Sequence, residues 1–350
     1  MSQRVHKVIS IPGDGIGLEV TPAAIRVVNK LADKHGFSIR WQEVDWGTDY
    51  FRKHGRMMPV DGIAQMSVFD AIFLGAIGAP DVADTETLWG LLIPIRREFD
   101  QYINLRPVKS YEGVQGPLAG NKKIDLIIVR ENTEGEYSEV GGRFARQSPF
   151  ETALQVAVFS RHGIERVTRY AVAQAQRRKK EIVSATKSNG IIHSMPFWDE
   201  VVAEVLAEHP DVTSRNILID ALAAAIVLAP EKFDVIVASN LFGDILSDLA
   251  AAIVGSIGIA PSGNINPERR FPSMFEPVHG SAPDIAGKGI ANPVGALQAA
   301  AMMLDHLGEF GASAEIHKVI TDLLKEGVAT KDLGGAESTE SFTQQVLNRM

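Results

Sequence analysis

Short blocks of consecutive apolar residues alternate with amphipathic stretches along this chain. The blocks at residues 8–11, 71–75, 124–129, 181–185, 217–220 and 234–238 read as strands covered on both faces. Several are followed by Gly, Ser, Asn or Asp and then by helical periodicity, the order of a strand, a turn and a helix. Repeated from end to end, it predicts an α/β architecture around a largely parallel central sheet. Residues 138–155 depart from it. Gly141-Gly142-Arg143, with apolar–polar alternation through residues 152–159, predicts an extended hairpin or arm. Residues 334–339 predict a loop leading into a last helix.

Bulk composition narrows the classes of function. With 350 residues, 45% of them hydrophobic, the chain can bury a large core and form two domains. A formal net charge of -8 gives no general attraction to nucleic acid or anionic lipid, so neither is expected as a partner. The absence of cysteine excludes disulfides, thiolate metal sites and thiol nucleophiles. Weakly polar runs around residues 221–229 and 249–260 fall short of a membrane span. The apolar stretch after Met1-Ser2-Gln3-Arg4 is broken by Pro12-Gly13-Asp14, too early for the core of a secretion signal. A soluble, cytoplasmic protein is expected.

Candidate chemistry is densest in Asn240-Leu241-Phe242-Gly243-Asp244-Ile245-Leu246-Ser247-Asp248, directly after the block at 234–238. The residues beyond Gly243 read as a helix start. Asp244 and Asp248, four apart, then project from one face and can grip one hard cation. Asp220, closing the apolar run Ile217-Leu218-Ile219, is a third acid. Oxygen-only ligation favours Mg²⁺ or Mn²⁺ over zinc. Read alone, the same residues fit a solvated acidic helix N-terminus equally well.

Arg96, Arg106 and Arg130 offer rigid forks for carboxylates and point to a substrate with two or three acid groups. Surface ion pairing is the competing account, which Arg130 resists because it ends a strand block, where α/β sites form. Tyr137 is a candidate acid and Lys187, after the block at 181–185, a candidate base; packing and plain surface exposure are their alternatives. Asp284 could accept hydrogen bonds from ribose hydroxyls and would repel a 2′-phosphate, or simply serve a turn after Pro283. Pro12-Gly13-Asp14-Gly15-Ile16-Gly17 has glycines at alternate positions. It lacks the third small residue of the dinucleotide-binding fingerprint, so it reads as a tight turn near a site.

Together these segments resemble the β-decarboxylating dehydrogenases, the isocitrate and isopropylmalate dehydrogenase family. The match runs in order from Ile11 to about Asn292 and is most specific at Asn240–Asp248, Thr186–Gly190 and His279–Asp284. Leu88-Trp89-Gly90-Leu91-Leu92, Arg96–Tyr102, Ile257–Pro261 and Asn266-Pro267-Glu268-Arg269 look most like its tartrate and D-malate branch. The resemblance implies the isopropylmalate-dehydrogenase-like α/β fold: two domains and a cleft, with 1–101 plus 255–350 on the cofactor side. Residues 102–254, carrying a dimer arm, would form the metal and substrate side. It implies a homodimer with shared sites, NAD as cofactor and Mg²⁺ or Mn²⁺, and it leaves K⁺ open as a further ion.

Residue by residue, the resemblance implies that Asp244 and Asp248 bind the metal with Asp220 of the other subunit. Arg96, Arg106 and Arg130 would hold the carboxylates of a small hydroxy diacid, with Leu92 beside its C3. Lys187 from the other subunit would be the base and Tyr137 the acid. Asn189, Glu276, His279, Gly280, Asp284 and Asn292 would line the cofactor site. The implied activity is oxidative decarboxylation of D-malate or tartrate. The alternatives are 3-isopropylmalate dehydrogenase and, with all five metal and acid–base residues present, less readily a non-catalytic regulatory subunit.

Overall fold

A computed structural model of the chain describes residues 4–120 and 122–350. Residues 1–3, which open the stretch considered above as a secretion signal, lie outside the described residues. Among the described residues the strands are β1 Arg4–Gly13, β2 Phe37–Glu43, β3 Ala71–Ala76, β4 Ile103–Lys109, β5 Asp125–Glu131 and β6 Gly141–Phe144. They continue with β7 Thr152–Gln155, β8 Glu181–Thr186, β9 Thr213–Leu218, β10 Val235–Ala238, β11 Pro261–Ile265 and β12 Ser273–Pro277.

Two compact units divide the chain. The first is Met1–Gln101, Lys109–Asn121 and Ala251–Met350; the second is Tyr102–Val108 and Lys122–Ala250. Residues 109–121 and 251–254 thus cluster with the first unit, unlike the boundaries drawn from the sequence.

In the first unit the strand order is β2-β1-β3-β12-β11. β1, β2, β3 and β12 run parallel, and β11 folds back antiparallel on β12. The fully buried strand Ala71–Ala76 explains the unbroken apolar block in the sequence, since helices cover both faces. On one face Ile9, Ile72 and Met274 pack with Met57, Leu91, Ile95 and Phe99. On the other lies the helix Val294–His306, whose Ala- and Gly-rich sequence lets it approach closely. A Cβ on Gly295 would stand 2.8 Å from the Gly258 carbonyl oxygen.

In the second unit the order is β4-β5-β10-β8-β9, with β5, β10, β8 and β9 parallel. Trp198, fully buried, anchors its helix by donating Nε1–H to Ser184 Oγ at 2.9 Å. β6 and β7 form the expected antiparallel hairpin, and every residue of both strands is exposed. No helix among the described residues is long and apolar enough to cross a membrane.

Two local expectations are corrected. The block at 217–220 is not all strand: β9 ends at Leu218, and Asp220 sits in the first turn of the helix Ile219–Leu228. The helix bearing Asp244 begins at Asn240, not after Gly243, and its first turn carries no acid. The helix dipole, strong only within the terminal turn, therefore does not account for Asp244 and Asp248.

Candidate active site

Parallel pairing in the second unit sets its polar side chains along one sheet edge. Arg130 of β5 lies in register with Ala238 of β10, and Thr186 of β8 with Leu218 of β9. At or just beyond these strand ends stand Glu131, Asn240, Lys187 and Asp220, at the edge where open α/β sheets build their sites.

Arg130 is 3% exposed and organises the centre. Its Nε and Nη2 donate to Asn240 Oδ1 at 3.1 and 2.6 Å, and Nη1 donates to Asp244 Oδ1. The guanidinium carbon stands 5.6 Å from the Tyr137 ring centroid. Tyr137 donates its hydroxyl to Asp244 Oδ2 at 3.0 Å. The arginine crosses the helix so closely that a Cβ on Gly243 would lie 2.6 Å from Arg130 Cβ. Glycine in a helix costs about 1 kcal/mol relative to alanine, and here it makes room for Arg130.

Arg106, also buried, is fixed by Asn104 Oδ1 at 2.8 Å and Ser247 Oγ at 2.7 Å. Its fork reaches both acids, Asp248 Oδ1 at 3.1 Å and Asp244 Oδ1 at 3.4 Å. Partial desolvation raises the Asp248 carboxyl above the usual range; Arg106 opposes this and Asp244 adds to it. Two carboxylates within the span of one guanidinium, with oxygen donors only, fit a hard divalent cation.

Lys187 Nζ donates to Asp220 Oδ1 at 2.6 Å, which holds the Asp220 carboxyl below the usual range. Asp220 does not join Asp244 and Asp248 within one copy. Among the described residues no three His, Cys, Asp or Glu side chains are gathered to hold a metal.

Of the residues assigned to the first unit, Arg96 and Glu276 meet as a buried pair, Nη2 to Oε1 at 3.2 Å. Asn264 Nδ2 donates to the same oxygen at 2.7 Å. Arg96 Nε is buried with no hydrogen-bond partner among the described residues. Leu92 is partly buried against the core, in a π-helical turn over Leu88–Leu92 that leads into Pro94 at the start of the next helix. Such turns are frequent at functional sites.

His279 Nδ1 lies 3.0 Å from the Gly280 carbonyl and must donate to it. Burial depresses the imidazolium form, so Nε2, buried and without a partner among the described residues, is a bare acceptor. A Cβ on Gly280 would meet nothing within 4 Å, so the backbone there is open. Asn292 instead uses its side chain internally, on Val294 N and Asp332 Oδ2, both at 3.0 Å. Asn189 and Asp284 are exposed. The glycine loop is a tight turn as expected: Gly13 and Gly15 have φ of 70° and 53°, and Asp14 accepts from Thr48 N and Gly78 N, both at 2.8 Å.

Sequence reading missed the residues that hold others in place. Asn240 fixes Arg130 and donates Nδ2 to the Glu134 carbonyl at 3.0 Å. Glu136 receives Leu241 N at 3.2 Å, capping the helix that carries Asp244 and Asp248, and Glu134 receives Ser160 N at 2.8 Å. Glu131 is buried, which raises its carboxyl against three hydrogen bonds from Thr133 and Glu134. Glu131 thus serves its own loop, as capping spacings could have suggested, while Glu134 and Glu136 hold the starts of two later helices.

The family model for isocitrate/isopropylmalate dehydrogenase matches residues 7–347. The chain belongs to that family. It is 50% identical to a probable tartrate dehydrogenase/decarboxylase of Bacillus subtilis, over 100% of this chain and 99% of that one. It is 51% identical to the decarboxylating D-malate dehydrogenase of Escherichia coli, covering 98% of each. An isocitrate dehydrogenase crystal structure from Methylococcus capsulatus superposes with a TM-score of 0.89 at 33% identity, covering 98% of this chain and 99% of that chain. The fold is the two-unit α/β fold of the isopropylmalate dehydrogenase type.

Proposed function

We propose that this decarboxylating dehydrogenase oxidises D-malate or tartrate with NAD and a divalent ion, Mg²⁺ or Mn²⁺. The observation that carries the reading is the cluster Arg106–Asp248–Asp244–Arg130–Tyr137. It sets a proton donor and two carboxylate-binding cations around a pair of metal-type acids. Relatives named for tartrate and D-malate at about 50% identity support the substrate class.

When bound, the dinucleotide supplies the hydride acceptor and the divalent ion supplies Lewis acidity at the substrate oxygens. Asp244 and Asp248 would hold the ion with Asp220 of a second copy. Arg96, Arg106 and Arg130 bind the two carboxylates and orient C2. Lys187 of the second copy takes the hydroxyl proton as hydride leaves C2. The β-keto acid then releases CO₂, its bonding electrons passing to the C2–C3 enolate, and Tyr137 delivers a proton to C3. His279 Nε2, a bare acceptor, suits an exocyclic amino group such as that of adenine, and exposed Asp284 suits ribose hydroxyls. Asp332, which anchors Asn292, supports the same region.

A dimer is supported by the Lys187–Asp220 pair, because among the described residues of one copy Asp220 joins no group of three metal-type side chains. It is also supported by the hairpin's exposed Phe144 and Leu154. The test is kcat/KM on D-malate, L- and meso-tartrate, 3-isopropylmalate and isocitrate with NAD⁺ and Mn²⁺. A leading value for D-malate or tartrate is expected. A leading value for 3-isopropylmalate moves the protein to the other branch.

A further inference from the structure

The opposite, N-terminal edge of the first unit's sheet carries a second constellation. There β1 begins, β3 begins beside Asp70, and the β11–β12 connection turns back through residues 266–272. Between them and the end of the helix Val294–His306 lies a half-open cavity of about 310 Å³. Arg269, Arg270, His6 and His306 line it, with Asp70 as its carboxylate and Phe271 as an apolar wall.

Most of these groups already have partners. Asp70 Oδ2 accepts from Lys7 N at 2.7 Å, and His6 Nε2 lies 2.9 Å from Glu309 Oε1. Arg270 is only loosely paired, 3.9 Å from Asp100. The Arg269 side chain has no hydrogen bond or ion pair among the described residues, although it faces His306 closely enough to disfavour the imidazolium form.

Arg269 is held in place by its backbone. Its N–H bonds the Asn266 carbonyl at 3.0 Å, and Asn266 Oδ1 accepts from Arg270 N at 2.9 Å. Asn266 is itself fully buried. This turn forces Arg269 to φ +54°, in the left-handed region that an L residue with a Cβ enters only at a steric cost. A glycine or asparagine would fit the turn better, so folding alone does not explain an arginine there. In a chain of net charge -8 the cavity is a local concentration of cationic donors around a space that fits a small ligand.

We propose that this cavity is a binding site for a small multivalent oxyanion, gripped by the Arg269 and Arg270 guanidinium groups with His306 as a further hydrogen-bonding partner. Inorganic phosphate and a polycarboxylate share that chemistry. The site lies at the opposite sheet edge from the glycine loop and His279, so it is separate from the proposed cofactor site.

The test is thermal melting and calorimetric titration of the purified full chain with inorganic phosphate or citrate, on wild type, Arg269→Gly and Arg269→Asn. Wild type should show saturable stabilisation by at least one anion, and which one identifies the source. Both variants should melt no lower than wild type without anion, because the turn is relieved. Both should bind about tenfold or more weakly, with unchanged turnover. Responses to the proposed site and to the substrate arginines are thereby separated, since the latter persist in the variants. Absence of saturable binding in wild type, or binding by both variants as tight as by wild type, overturns the proposal.

Discussion

Tyr137 donates its phenolic hydrogen to Asp244 Oδ2 across 3.0 Å, while Arg130 holds the other oxygen of the same carboxylate. The proposed acid and the proposed metal ligand are therefore one unit, and a change in either reaches the other. Asp244→Asn keeps the size of the side chain and removes its charge. It should lower kcat by roughly 10²–10³-fold, the loss typical of one preorganised electrostatic partner. Circular dichroism should stay native, and wild-type activity should vanish in excess EDTA and return with Mn²⁺. Full activity in EDTA contradicts the metal assignment.

Lys187 and Asp220 pair at 2.6 Å on exposed ground and are proposed to serve a second copy. Lys187→Ala and Tyr137→Phe should each be nearly inactive. After subunit exchange half of the dimers are mixed, and each mixed dimer has one intact site, so about a quarter of wild-type activity should return. Exchanged mixtures that remain inactive, with both variants folded and dimeric, would place Lys187 and Tyr137 in the same copy's site.

NAD should be preferred over NADP by at least about tenfold in kcat/KM, because the exposed Asp284 carboxylate repels a 2′-phosphate. Asp284→Asn should narrow the gap. Equal use of both cofactors by the wild type rules out this role.

Trp89 is partly buried and lies under Arg97, the guanidinium carbon 5.1 Å from its ring centroid. It stands in the π-helical turn that precedes Arg96, and is proposed to limit the space at substrate C3. Trp89→Ala should raise activity on 3-isopropylmalate relative to D-malate by roughly 10-fold or more, since each extra methylene contributes only about 1–3 kcal/mol. An unchanged ratio would assign Trp89 to packing with Arg97.

His306 gives a pH signature of stability. Burial beside Phe275, with Arg269 adding its charge, lowers its pKa to about 4. The unfolded chain takes up a proton near 6.5 that the folded chain refuses until about 4, so stability is lost as pH falls through that window. Between pH 7.5 and 5 the wild type should lose about 2 kcal/mol more than His306→Gln, read from denaturant midpoints. Parallel losses in the two proteins would show that His306 titrates normally.

Local spacing made much of this molecule legible. Buried strands of the parallel sheets advertise themselves as unbroken apolar runs, and Asp244 and Asp248 share a helix face because of their four-residue separation alone. The hairpin at β6 and β7 followed from alternation and glycines. Strands that spend polar side chains inside the fold were hidden. In β11, Pro261–Ile265, the buried Asn264 reads as a turn residue until its bond to Glu276 is seen. β2 is partly exposed and lacks the apolar run. Only the tertiary structure decided which groups meet. Arg130 finds Asn240, 110 residues away, because β5 and β10 pair in parallel. Arg269 reaches His306 because β11 folds back on β12. A sequence records burial preference and periodicity residue by residue, whereas a hydrogen bond between distant side chains depends on strand order and register, which only the assembled sheet sets.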